Sequence, residues 1–136
     1  MQTRPDASTL LEAVATFLLE EVSTKLKDDK ALAFRVMIAA NLAGIVAAEL
    51  KTQDDRFSHE ARGLKALLPG AADEQRLWGS KTSERVEALT ALERELSARL
   101  RSGRMKLDDK VLEHLMQTAK ETLAVTNPRF ELGDEP

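Results

Sequence analysis

Apolar residues recur along this chain at the three-and-four spacing of amphipathic helices, and several separate stretches carry the pattern. Leu11, Val14, Ala15, Leu18 and Val22 form the first stripe, widened by Leu10 and Phe17, with Glu12, Glu20 and Glu21 on the water side. This predicts a helix over residues 9–25, opened by the capping box Thr9-Leu-Leu-Glu12 and closed by the turn Lys27-Asp28-Asp29-Lys30. From 31 to 50 the pattern changes, because only Arg35, Asn41 and Glu49 are polar. A helix there needs cover around nearly its whole circumference, so it is expected at the centre of the molecule. Its small residues fall in two rows, Ala40-Gly44-Ala48 and Ala39-Ala43-Ala47, which let a second backbone approach closely. Thr52-Gln-Asp-Asp55 interrupts the pattern. A short helix is then expected from Ser58 through Ala61, Leu64, Leu67 and Leu68 to Pro69-Gly70.

Residues 69–82, with Pro69, two glycines and Trp78, read as a long connection holding one helical turn. Val86, Leu89, Leu92, Leu96 and Leu100 make the next stripe, which ends in Arg99, Arg101 and Arg104 with Gly103 at the left-handed capping position. Asp108 or Asp109 then caps a last helix that carries Leu112, Leu115, Met116, Ala119 and Leu123 on one face and stops at Asn127-Pro128. The expected fold is all-α: an up-down bundle of four main helices around the central apolar one, plus one short helix. It occupies a single domain over residues 1–136, with frayed ends at about 1–8 and 129–136.

Composition narrows the setting. With 20 Lys and Arg against 23 Asp and Glu, the net charge of -3 offers no basic field for phosphates, so no nucleic-acid partner is expected. The absence of cysteine removes disulfides, thiolate metal sites and any Cys nucleophile, and the first six residues hold no apolar run before a small-residue cleavage site. A cytoplasmic location is therefore expected. The apolar run to Leu50 is about 30 Å long as a helix, enough to cross a bilayer, but Arg35 and Glu49 would each be costly there. No membrane association is expected.

Few residues stand in patterns that carry chemistry. His114 has Val111 three residues before it and His59 has Arg56, so neither completes the Glu-x-x-His element of a di-iron bundle, and no second His follows His59 at the zinc-protease spacing. The six glycines stand apart, which excludes a phosphate-cradling loop. No catalytic residue, metal or cofactor is assigned. His59 or His114 as a general base is the enzyme alternative. The informative polar residues lie where a core is expected. Asn41 sits among alanines and leucines and is expected to be more than about nine-tenths buried, its amide held by another helix or by a ligand. Arg35 nearby suits bidentate capture of a carboxylate, which makes Arg35 and Asn41 the candidate ligand-binding pair. Trp78 is read as closing one end of the core, with a lid or partner anchor as the alternative.

Several ordered pieces carry a resemblance: Arg4-Pro5-Asp6 before Leu10-Leu11-Glu12, Phe34 with Ala40-Asn41-Leu42, and Ile45-Val46 to Glu49-Leu50. Towards the end follow Glu95-Leu96, Arg99-Leu100-Arg101 with Gly103, His114-Leu115, and Leu123-Ala124-Val125 with Asn127-Pro128-Arg129-Phe130. Together they resemble a small bacterial family of domains of unknown function, encoded beside aminoglycoside-phosphotransferase-like kinases and acyl-CoA dehydrogenases and sometimes labelled acyl-CoA-dehydrogenase-related. The family pattern has a basic residue four before the Asn, where this chain has Met37. The resemblance implies a non-catalytic accessory or interaction protein working with one of those enzymes in acyl or carboxylate metabolism. The alternative is a small helical module that holds an acyl or carboxylate metabolite between its helices near Arg35 and Asn41. A homodimer is expected over a compact monomer, because the small-residue rows and the stripe from Val86 to Leu100 offer more apolar face than five helices cover.

Overall fold

The computed structural model describes residues 5–127, and its regular structure is entirely helical, as expected. Helix α1 spans Ala7–Phe17 and loosens into a π turn over Leu18–Val22 and a 3-10 turn over Ser23–Lys25. Helix α2 spans Lys30–Leu67, α3 is the single turn Glu74–Leu77, α4 spans Thr82–Arg101 and α5 spans Asp109–Thr126. The tail from 129 and residues 1–4 lie outside the described residues, while Ala7 and Ser8, expected to fray, are already helical.

Three local features differ from the expectation, each for a physical reason. The cap of α1 is Asp6 rather than Thr9: its Oδ1 accepts from the Thr9 amide at 2.9 Å and from the Ser8 hydroxyl at 3.0 Å. The last turns of α1 are not plain α-helix, because Ser23 Oγ donates to the Leu19 carbonyl and Thr24 Oγ1 to that of Glu20, competing with the backbone ladder. Most importantly, Thr52-Gln-Asp-Asp55 does not end a helix. These four residues lack Gly or Pro, Thr52 Oγ1 returns to the Ala48 carbonyl at 2.8 Å, and α2 runs on for 38 residues. Ser58 is thus inside a helix rather than at its cap, and the one short helix is α3 in the 69–82 connection. Elsewhere the signals act where they stand: Gly103 takes a φ of 75°, and Asp108 Oδ1 accepts from the Val111 amide at 3.0 Å.

The chain forms two compact units: described residues 5–54 with 124–127, and 55–123. The second unit has an apolar core of Ala61, Leu64 and Leu68 from α2, Leu77 from α3, Ala88, Leu89, Leu92 and Leu96 from α4, and Val111 from α5. Phe57 and Trp78 meet edge to face at 6.3 Å beside it, with Arg85 over the Phe57 ring, and the indole N–H donates to Glu74 at 2.9 Å. The stripe of α4, expected to offer a face for a second copy, is therefore consumed at Leu89, Leu92 and Leu96.

The first unit is built differently. Ala40 and Ala47 of α2 are buried, so the small residues serve close packing within the chain, and Lys51 of α2 pairs with Glu12 of α1 at 2.7 Å. Of the rest of residues 31–50, Ala33, Val36, Ala43, Gly44, Ile45 and Ala48 are half-buried and the others are exposed. The most apolar stretch of eighteen residues in α2 has a mean hydropathy of 1.9, enough by length and composition to cross a membrane, and only 11% of it is buried. The expected all-round cover of residues 31–50 is corrected: among the described residues this unit supplies α1 with its closing turns and the end of α5 as neighbours, too little surface to surround a twenty-residue helix.

Candidate functional site

Asn41, expected inside a core, is exposed, and its amide makes no hydrogen bond among the described residues. It stands on the rim of an apolar groove of about 450 Å³. Ala40, Gly44, Ile45 and Ala48 of α2 form the floor, Ala15 and Leu19 of α1 one wall, and residues 124–127 at the end of α5 the other. The small side chains that allow close helix packing also leave this space, since Ala and Gly fill less than the gap between the helices. Arg35 is exposed and does not line the groove. Six residues separate it from Asn41, which is about 120° around a helix, so the pair read together from the sequence does not converge on one ligand.

The second unit holds a constellation that sequence reasoning missed. Glu60 of α2, Glu93 of α4 and Glu121 of α5 come from three helices to one place. Burial, then a hydrogen bond shared with Glu93 and the charges of Glu93 and Glu121, push the Glu60 carboxyl up to about 7, against the pull of Arg56. Beside it, His59 Nδ1 lies 2.7 Å from Glu121 Oε1, and Gln117 donates to the same oxygen at 3.3 Å. A carboxyl held half-protonated near neutrality can take or give a proton, but here its contacts are with its own helices. The signal lay in register: His59-Glu60 is one turn ahead of Gly63-Leu64, whose Leu64 is core, so Glu60 had to stand at the core's edge. The other histidine, His114, is half-buried with its ring against Gly63, and burial holds its pKa below the ordinary value. Among the described residues no group of three or more His, Asp or Glu is arranged to hold a metal ion.

The strongest feature is the surface of the first unit. Along α2, Phe34, Ile38, Leu42, Val46 and Leu50 stand four apart, so they form one continuous ridge, and all are exposed. Along α1, Leu10, Val14 and Phe17 form a second exposed row. Together these helices present on the order of 1,000 Å² of large apolar side chain to water.

No curated protein and no solved structure matches the chain. A family match extends from the last turn after α1 through both units, over residues 24–130, and the chain accordingly belongs to DUF6285, a domain of unknown function.

Proposed function

We propose that this protein is a non-catalytic interaction module of the cytoplasm, an accessory to a phosphotransferase-like kinase or an acyl-CoA dehydrogenase in acyl or carboxylate metabolism. The observation that carries this reading is the exposed apolar surface of α1 and the first half of α2. Large side chains in such numbers are held in water at a cost of tens of calories per mole for each Å², which a partner surface relieves. The choice of enzyme rests on the family resemblance, whose members sit beside those two kinds of gene. The α1 row of Leu10, Val14 and Phe17 is the surface assigned to the enzyme. Isolation of the tagged protein from its own host, followed by mass spectrometry, should recover one of these enzymes in stoichiometric amount. Phe17→Asp should lose it while retaining helicity.

A second reading has its own observation, the groove at Asn41. Its apolar lining and single amide on α2 suit an acyl chain better than a free carboxylate, because Arg35 is not at hand to neutralise the charge. Recovery of neither enzyme, together with a stoichiometric small acyl ligand, overturns the accessory reading in favour of this one.

A further inference from the structure

The ridge on α2 has a symmetry in its chemistry. Leu42 lies at its middle, with Ile38 and Val46 four residues to either side and Phe34 and Leu50 eight to either side. Seven residues to either side stand Arg35 and Glu49, the only charged residues between 31 and 50. Seven residues are two turns less about 20°, so both charges fall on the Leu42 face. Neither has an ion-pair partner among the described residues. Phe34 and Leu42 are 63% and 58% exposed, while the buried Ala40 is about 200° round the helix from Leu42. The large side chains of this ridge offer roughly 450 Å² of apolar surface. One partner of a standard dimer contributes about 800 Å², a little over half of it apolar, so this face suffices.

We propose that a second copy of this chain covers the face, its α2 laid antiparallel at a shallow angle with the two Leu42 side chains at the crossing. Reversal of direction brings each Arg35 level with Glu49 of the second copy, which gives two reciprocal ion pairs flanking an apolar centre. Ile38 of one copy then stands level with Val46 of the other near the centre, and Phe34 level with Leu50 at the margins, since eight residues turn about 80° from the Leu42 face. A parallel pairing would set Arg35 against Arg35 and Glu49 against Glu49, so charge selects the antiparallel register. A lipid bilayer is a poorer occupant, since it would hold both charges in hydrocarbon with no counter-charge. The inference rests on reading the first unit's apolar surface as an interface. It leaves the α1 row free for the enzyme.

Light scattering at micromolar concentration should give twice the 15.0 kDa mass of one chain. Leu42→Arg should return the chain mass with unchanged far-UV helicity. Arg35→Glu and Glu49→Arg should each weaken association at least about tenfold, and the two together should restore it. Because the chain has no cysteine, Leu42→Cys should cross-link to itself under mild oxidation, whereas Phe34→Cys, roughly 24 Å from its counterpart in the antiparallel register, should not. The proposal is overturned by a wild-type chain mass, by self-linking at position 34 in place of 42, or by a double swap that fails to restore the dimer. Flotation of the wild type with phosphatidylcholine vesicles, abolished by Leu42→Arg, would assign the face to lipid and overturn it too. A dimer that recovers no enzyme from the host removes the accessory reading alone, and an enzyme bound to a single chain removes this one alone.

Discussion

At Gly63 the ring of His114 occupies the space where a Cβ would stand. Alanine at this helical position gains up to about 1 kcal/mol in propensity but must displace the imidazole, at about 1–3 kcal/mol. Gly63→Ala should therefore destabilise the wild type by about 1 kcal/mol and stabilise a His114→Ala background by a similar amount. Urea unfolding of the four proteins measures this, and the same sign in both backgrounds would show that the contact does not require the glycine. Glu60 ties stability to pH. Its carboxyl titrates near 4.5 when unfolded and at about 7 when folded, so between these values the folded state holds a proton that the unfolded chain has released. Stability contributed by the protonated form is present below the lower value and is lost as pH rises to the upper one. Glu60→Gln keeps a neutral group, so its stability should stay level across this window. At about pH 8 it should exceed the wild type by about 1 kcal/mol, after allowance for screening at a partly exposed site. A variant that loses stability with pH as the wild type does would place the dependence elsewhere.

At the scale of elements, the continuity of α2 through Thr52-Gln-Asp-Asp55 is the main departure from the sequence pattern. Hydrophobic periodicity marks where a helix is buried, and it fades where the helix turns all its sides to water, although the backbone ladder continues. Proline at Gln53 distinguishes the two cases. In a loop it would be nearly neutral, but within α2 it removes a ladder bond and clashes with the preceding turn, so Gln53→Pro should cost about 3 kcal/mol or more in thermal or urea unfolding. The end of α1 shows the opposite case: the stripe Leu18 to Val22 keeps helical spacing, yet the Ser23 and Thr24 hydroxyls draw the last turns out of α geometry. Its start is set by Asp6, so Asp6→Ala should reduce helicity of the isolated 5–25 peptide, whereas Thr9→Ala should not.

For the molecule as a whole, the two units differ in how they meet water. The second buries Leu64, Leu68, Leu77, Leu89, Leu92 and Leu96 together while leaving Leu107, Leu112 and Leu115 exposed; the first leaves its largest side chains outside. If a second copy covers them, folding is linked to association, and a tenfold rise in concentration adds about 1.4 kcal/mol per dimer. The Tm of the wild type should then climb by a few degrees per decade of concentration, while that of Leu42→Arg stays put. A concentration-independent Tm in both would deny the linkage.

The helical class, the caps at Asp108 and Gly103, the turn-bearing connection around Trp78 and the core leucines of α4 were all legible in the order of residues, because each depends on neighbours within one or two turns. That the chain belongs to a family of domains of unknown function was legible too, since it is a matter of sequence. What the sequence could not reveal was which neighbours each helix would find. An apolar helix with one amide in it argues for burial only if the chain has surface enough to bury it, and that depends on which elements α1 and α5 reach. The tertiary structure therefore decided that Asn41 stands at the rim of a groove, that Arg35 faces elsewhere, and that Glu60, Glu93 and Glu121, dispersed on three helices, share one site. These are long-range placements, and local periodicity carries no information about them.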